Sequence, residues 1–233
     1  MLSSSCRELF RVQKRVVVVV ILIIASFMDL LDTTIVNVAL PSIQKDLDAS
    51  SSQLEWIISG YVLAFAVLLI TGGRLGDIFG RKRMFLIGVA GFTLASALCA
   101  GATTGDMLVI SRIVQGLFAA LMIPQVLSVI QVLFAPKERA PIFGALGAIS
   151  GLAAVAGPLI GGLLVTGNVL DLGWRSIFLI NVPVGIALFV MAFIFVPESR
   201  STHALRLDIL GVALVSVGLF LGVFALIEGR GED

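Results

Sequence analysis

The sequence predicts an all-α, polytopic membrane protein with about seven transmembrane helices. Of its 233 residues, 58% are hydrophobic and 13% are charged, whereas soluble domains typically contain about 25% charged residues. The apolar residues are gathered into long stretches, and a helix needs about 20 such residues to cross a bilayer. Glycine is also abundant, at 24 residues, which suits close helix packing in lipid.

Seven apolar stretches are long enough to span a bilayer. They cover 16–40, 54–73, 84–102, 107–134, 141–166, 175–196 and 208–228. The first follows a basic segment, 1–15, which we predict to be an N-terminal tail. The chain ends at 229–233, directly after the seventh stretch, and we expect this end to be a truncation.

Basic residues are distributed unevenly between the two ends of these stretches. Twelve of the 16 Lys and Arg residues fall in 1–15, 74–83, 135–140 and 197–207, three fall in the alternate connections, and Arg112 lies inside a stretch. Because cytoplasmic loops hold the excess of Lys and Arg, this count predicts a cytoplasmic N-terminus. The segment 41–53 is then predicted to be a long outer loop.

Several function classes lack support in the sequence. The net charge of +1 gives no basic footprint for nucleic acid. Cys6 and Cys99 set no disulfide framework, and a single histidine, His203, cannot form a His-rich metal site. The sequence contains neither a Walker loop nor a G-x-S-x-G motif. We therefore expect no enzyme activity, no cofactor and no metal.

Three charged residues lie inside predicted spans and away from their ends: Asp29, Asp32 and Arg112. A charge at mid-bilayer costs roughly 2.5–3.5 kcal/mol even on insertion scales. Asp29 and Asp32 share one helix face. Asp29 is a further candidate for proton coupling, and it could instead bind a cation or simply face an aqueous cavity. At about 1.5 Å per residue, Asp32 and Arg112 lie at similar depth, roughly 12 Å and 8 Å from the outer ends of their spans. A pair between them is either a proton switch or a static ion pair that fixes helix packing.

The loop between the second and third stretches combines glycines with charged residues. Glycines allow a tight turn, and Asp77 precedes the third stretch, where a carboxylate can meet helix N-terminal NH groups. A simpler interpretation is that Arg81, Lys82 and Arg83 only anchor the topology. That interpretation explains the basic residues but not the glycines beside Asp77.

The loop resembles the cytoplasmic loop signature of the major facilitator superfamily. The residues that match are Gly73, Leu75, Asp77, Gly80, Arg81 and Lys82. Four more segments resemble known motifs. The segments 31–41 and 174–183 resemble motifs of the 14-helix drug:proton antiporter branch of this superfamily. Two sets of residues resemble the fourth-helix motif of the superfamily and the fifth-helix antiporter motif: Arg112, Gln115 and Gly116; and Gly157, Pro158, Gly161 and Gly162. Ile78 and Ala153 depart mildly from these patterns, because many members have a basic residue and a glycine there.

The resemblance implies an N-terminal six-helix transporter half over 16–196, a cytoplasmic loop over 197–207 and a linking helix over 208–228. It implies proton-coupled efflux of amphipathic or cationic drugs by alternating access, in a bacterial inner membrane. The partners would be the drug, protons, the bilayer, and the missing C-terminal half or a second copy. The alternatives are an uptake symporter of the same fold and a non-transporting truncated subunit.

The resemblance also implies roles for particular residues. Asp32 would be the coupling carboxylate or would help to recognise cations, and Arg112 would tune it. Asp77 and Arg81 would hold an inner gate closed. Gly157 and Pro158 would bend the fifth helix at the contact between halves.

Four residues are candidates for lining a substrate cavity: Asn37, Tyr61, Gln115 and Gln125. A Gln in a span prefers an interhelical partner or a wet cavity, so packing remains the alternative for both glutamines. Tyr61, with Phe65 one turn later, could contact flat apolar cations through cation–π interactions.

Overall fold

The structure, a computed structural model, describes residues 4–168, 171–201 and 209–228, and its described residues are almost entirely helical. Six helices are long and apolar enough to cross a membrane, which confirms six of the predicted spans. The seventh predicted stretch, 208–228, forms the helix Ile209–Glu228. The chain is therefore a multi-pass membrane protein.

Eight α-helices follow one another along the described chain. They are α1 (Ser4–Leu47), α2 (Ser51–Phe79), α3 (Arg81–Ala100), α4 (Gly105–Leu133), α5 (Pro136–Thr166), α6 (Ser176–Leu179), α7 (Asn181–Phe195) and α8 (Ile209–Glu228). A 3₁₀ turn over Gly173–Arg175 precedes α6, and this turn, α6 and α7 together form the sixth candidate span, Gly173–Phe195. Helix α2 lies against α4, α5 against α1, and α8 against α2.

The connection between α1 and α2 is shorter than predicted. Instead of a loop over 41–53, α1 continues through Pro41 to Leu47 and α2 begins at Ser51. The Ser50 side chain caps α2 by accepting a hydrogen bond from the Gln53 backbone amide at 3.2 Å. Hydropathy marks where the apolar stretch ends, but a helix satisfies its own backbone groups and can continue into polar sequence. At the other end, α1 begins at Ser4, so it also includes most of the predicted tail.

The two ends of the bundle differ in their charged groups. We call the end that holds Arg15, Arg81, Lys82 and Arg139 the basic end. There, Arg15 pairs with Glu138 at 2.9 Å. At the opposite end, Asp46 accepts hydrogen bonds from Trp174 and Arg175.

Two apolar clusters fill the bundle interior. The cluster nearer the basic end takes residues such as Val18, Leu22 and Met28 from α1, and the other takes Ile35 and Ile43 from the same helix. Between these residues lie Asp29 and Asp32, which are both buried. A polar layer that contains Asp29 and Asp32 thus lies between the two clusters.

Glycines bring α2 and α4 close together beside this polar layer. A methyl group at Gly116 would overlap the Tyr61 carbonyl, and one at Gly72 would overlap the Ala120 carbonyl. Only glycine permits the backbones to approach so closely. This contact places Tyr61 of α2 beside Arg112 of α4.

Candidate functional site

The polar layer is centred on an ion pair between Asp32 of α1 and Arg112 of α4. Arg112 Nη1 donates to Asp32 Oδ2 at 2.5 Å. The two side chains are 0% and 1% exposed. The structure thus brings together the two residues whose similar depth the sequence predicts.

Two amides complete the hydrogen bonding of Asp32. Asp32 Oδ1 accepts from Gln115 Nε2 at 3.0 Å and from Asn181 Nδ2 at 2.8 Å. Both amides also donate to Ser96 Oγ, at 2.7 Å and 3.2 Å respectively. The network therefore joins α1, α3, α4 and α7 through neutral and charged donors. Asn181 has no individual role among the sequence predictions, and its signal in the sequence is a lone amide inside the apolar stretch 175–196.

The Arg112 guanidinium is held by aromatic rings as well as by polar groups. It lies over the Tyr61 ring at 4.1 Å from the centroid and 5.8 Å from that of Phe178. Its Nε donates to the Ile57 carbonyl at 3.1 Å, and Nη1 also donates to Gln115 Oε1 at 2.6 Å. Cation–π contacts strengthen when the cation is desolvated, as it is here.

Asp29 lies one turn before Asp32 and has different surroundings. Tyr61 Oη donates to Asp29 Oδ1 at 2.5 Å. Asp29 also borders a cavity of about 400 Å³ between α1, α2, α4 and α5. Tyr61 therefore contacts Asp29 through its hydroxyl and Arg112 through its ring.

The walls of this cavity are mostly apolar. Its lining residues besides Asp29 are Ser26, Leu30, Thr33, Tyr61, Val62, Phe65, Ile123, Val126, Leu127, Leu146 and Ser150. The rings of Tyr61 and Phe65 are nearly parallel, with an interplanar angle of 5° and centroids 6.4 Å apart. These features suit a molecule with an apolar, flat body.

The predicted cavity residues occupy different places. Tyr61 lines the cavity, whereas Gln115 is enclosed in the Asp32 network. Gln125 is also fully buried, and its amide donates to the Gly72 carbonyl at 2.8 Å. Asn37 is exposed and donates weakly to carbonyls of its own helix. On α1, the residues that line the cavity, Ser26 to Thr33, thus lie about one to three turns closer to the basic end than Asn37.

The glycine-containing loop at the basic end is a sharp junction between α2 and α3. Gly80 has φ = 113°, a conformation that favours glycine. Arg81 Nη2 donates to Asp77 Oδ1 at 2.8 Å. Gly73 lies against Pro124 of α4, and Lys82 Nζ donates to the Phe193 carbonyl at 2.6 Å.

The prediction that Asp77 meets the N-terminal amides of the third span is wrong. Because α2 continues to Phe79, Asp77 lies in its last turn. The carboxylate at the start of α3 comes from Glu198, which accepts from the backbone amides of Lys82 at 3.1 Å and Arg83 at 3.3 Å. A residue beyond the end of α7 thus supplies this cap.

The four residues predicted as a fifth-helix motif divide between two faces of α5. Gly157 and Gly161 are buried against Thr34 and Ile35 of α1. Pro158 is exposed, and nothing lies within 4 Å of a methyl group built at Gly162. The glycines therefore bring α5 close to α1, and the opposite face of α5 is left uncovered by the described residues.

Comparison with known proteins assigns the family. The sequence model of the Major Facilitator Superfamily matches residues 22–227. The chain is 52% identical over 206 residues to the probable actinorhodin transporter of Streptomyces coelicolor, covering 88% of this chain and 36% of that protein. It is 43% identical over 199 residues to the tetracenomycin C resistance and export protein of Streptomyces glaucescens, covering 85% and 36%. The names of both relatives describe transport or resistance, in agreement with the prediction that the chain is not an enzyme.

The fold is also similar to solved structures. A bacterial homologue of the human lysosomal transporter Spinster, inward-facing and occupied, matches with a TM-score of 0.69 and 21% identity, over 82% of this chain and 46% of that one. The chain thus spans about a third of the length of the curated relatives it matches and about half of this structure. The resemblance predicted from the motifs is confirmed: the chain belongs to the Major Facilitator Superfamily.

Proposed function

We propose that this chain is the N-terminal part of a proton-coupled antiporter of the 14-helix branch, which exports amphipathic or cationic drug-like molecules by alternating access. The names of its relatives support export of antibiotics. Six spans would form one half of the transporter and α8 would be a linking helix. The remaining half, or a second copy, would complete the substrate pathway.

The buried Asp32–Arg112 pair is the observation on which the proposal depends. An ionised carboxylate inside a membrane is expensive unless donors compensate for it. Protonation of Asp32 would remove its charge and weaken its bond to Arg112, and deprotonation would restore both. A change of this kind between two arrangements of the bundle would couple proton movement to the alternation of access.

The orientation follows from the distribution of basic residues. The basic end would face the cytoplasm, because cytoplasmic loops hold the excess of Lys and Arg. The N-terminus would then be cytoplasmic, and the membrane would be the bacterial inner membrane. Outside protons would reach Asp32 from the opposite end.

The loop at the basic end and the uncovered face of α5 would be the moving contacts. Asp77, Arg81 and Lys82, on the turn allowed by Gly73 and Gly80, would form a gate with the other half. The uncovered face of α5 holds large apolar residues that are 56–63% exposed, such as Leu152 and Leu159. With Pro158 and Gly162, it would pack against the other half, and Gly157 and Gly161 would keep α5 close to α1.

Proton-driven flux after a change at Asp32 tests the proposal. The native protein that contains this chain would be reconstituted in proteoliposomes, with ethidium as the amphipathic cation and an imposed pH gradient. In Asp32→Asn, we expect gradient-driven flux to fall by about tenfold or more, the order of a typical coupling free energy. Ethidium exchange without a gradient should persist. Asp106→Asn, which removes an exposed carboxylate at the opposite end, is the matched control.

Three results would contradict the proposal. Unchanged gradient-driven flux in Asp32→Asn would mean that the ion pair is static. Substrate movement in the same direction as the protons would instead favour the uptake symporter, and no flux in the native protein would favour a non-transporting subunit.

A further inference from the structure

We infer that Asp29, rather than Asp32, is the carboxylate that binds the cationic group of the substrate, and that the site favours a monocation with a flat aromatic body. The inference rests on the proposed function, because it names the substrate class for the cavity of that transporter. Asp29 lies outside the motif segment 31–41, and the sequence leaves it open between proton coupling, cation binding and a place facing an aqueous cavity. The inference depends on how the two neighbouring carboxylates are enclosed.

Asp32 is unavailable to a ligand in this arrangement. Its side chain is 0% exposed, and its two oxygens accept three hydrogen bonds, from Arg112, Gln115 and Asn181. It does not line the cavity. A substrate cation would have to displace Arg112, which already compensates its charge, so binding there would gain little.

Asp29 has the opposite properties. It borders the cavity and is 7% exposed, and among the described residues its carboxylate accepts one hydrogen bond, from a neutral hydroxyl, Tyr61 Oη. Its charge is therefore not matched by a direct ion pair. Among the described residues that line the cavity, Asp29 is the only carboxylate, and none is Lys or Arg. A ligand cation would supply the missing opposite charge.

The cavity walls determine the rest of the ligand. The parallel rings of Tyr61 and Phe65 stand beside Asp29, and aliphatic side chains from α2, α4 and α5 line the remainder. A flat aromatic cation can stack on these rings while its charge approaches the carboxylate. A single uncompensated carboxylate matches a single positive charge.

Tyr61 connects this site to the ion pair. A cation at Asp29 would compete with the Tyr61 hydroxyl for the carboxylate oxygens. Any movement of the Tyr61 ring would then act on Arg112, because the guanidinium lies over this ring, 4.1 Å from its centroid. Asp29 would thus bind the substrate, and Tyr61 would be a positioning residue between substrate and proton sites.

Two dyes of nearly equal shape but different charge test the inference. N-methylacridinium is a permanent cation, and acridine is neutral at pH 7.5. Fluorescence titration of the purified native protein that contains this chain would give the Kd of each dye. In Asp29→Asn, we expect N-methylacridinium to bind about thirtyfold more weakly or worse, as for loss of one partner of a buried charge pair. Acridine binding should change by less than about twofold, and this also serves as the test of folding.

The control variant is Asp106→Asn, which makes the same chemical change at an exposed carboxylate outside this cavity and should leave both Kd values unchanged. Equal weakening of both dyes in Asp29→Asn, or weakening of neither, would overturn the inference. Native protein that binds neither dye would overturn it as well. Charge-selective loss of binding together with absent proton-driven flux would support the inference on Asp29 and contradict only the proposed function.

Discussion

The interior ion pair and the loop ion pair combine the same two chemical groups in opposite surroundings. Asp32 and Arg112 are almost completely buried and join residues 80 positions apart. Asp77 and Arg81 are 29% and 13% exposed and lie four residues apart at one helix junction. The interior pair therefore connects helices and has no water to replace a lost partner, whereas the loop pair has both water and local chain connectivity.

The α2–α3 junction is held together mainly by hydrogen bonds other than the Asp77–Arg81 pair. Arg81 N donates to the Ser199 carbonyl, and Ser201 N donates to the Asp77 carbonyl, at 3.0 Å and 3.1 Å. With the Glu198 cap, these backbone bonds tie the end of α7 to the α2–α3 junction. The interior thus depends on charge compensation, whereas the basic end depends on capping and backbone hydrogen bonds.

The largest effect should follow from breaking the interior pair. Arg112→Leu leaves Asp32 buried without its cation, and we expect a loss of about 3–5 kcal/mol in the free energy of unfolding. Arg175→Leu is the matched control, since it breaks the partly exposed pair with Asp46 and should cost at most about 1 kcal/mol. Denaturant unfolding in detergent would measure both.

A double variant sharpens this prediction. In Arg112→Leu with Asp32→Leu, no buried charge is left uncompensated, so we expect much of the lost stability to return. Equal costs for Arg112→Leu and Arg175→Leu, or a double variant less stable than Arg112→Leu, would show that charge compensation is not what stabilises the interior.

An intermediate effect should follow from removing the cap at the basic end. Glu198→Ala leaves the amides of Lys82 and Arg83 without their carboxylate acceptor, at a cost of about 1 kcal/mol. Hydrogen exchange should accelerate at the first turn of α3 and remain unchanged in α4. Glu55→Ala, at an exposed position of α2, is the control. Exchange rates that rise equally in both variants would contradict a capping role for Glu198.

Much of the fold could be predicted from local properties of the sequence. The length and position of apolar stretches determine where spans lie, so six of them were predicted correctly. The continuation of α1 to Leu47 was missed because helical hydrogen bonds do not require apolar side chains. Hydropathy alone cannot detect such an extension, although the Ser50 and Gln53 capping pair gives a sequence signal for the start of α2.

Contacts within the site could be predicted only where the position of each residue along its own helix was enough to show that two side chains could meet. Depth along two helices predicted that Asp32 and Arg112 could meet, because each position depends only on its own helix. The contribution of Asn181 and the replacement of Asp77 by Glu198 as the cap of α3 depend on which helix faces meet. Close approach at glycines accompanies those contacts, since Gly185 of α7 lies against Thr93 of α3 and Gly80 lies against Glu198. The spacing of polar residues does not specify such approaches.

The smallest effect on stability should come from the loop pair itself. Asp77→Asn removes a charge but keeps an oxygen that can accept from Arg81, so we expect a cost of at most about 1 kcal/mol. Asp106→Asn, which likewise keeps an acceptor for its single side-chain donor, Gln53, should cost about the same. Thermal unfolding in detergent would measure both variants, and ethidium flux would be measured in parallel. If Asp77 forms the proposed gate, flux should fall in Asp77→Asn and not in Asp106→Asn, because the gate uses a charge that the stability of this loop does not need. Equal flux in the two variants would restrict Asp77 to the topology and packing of its own junction.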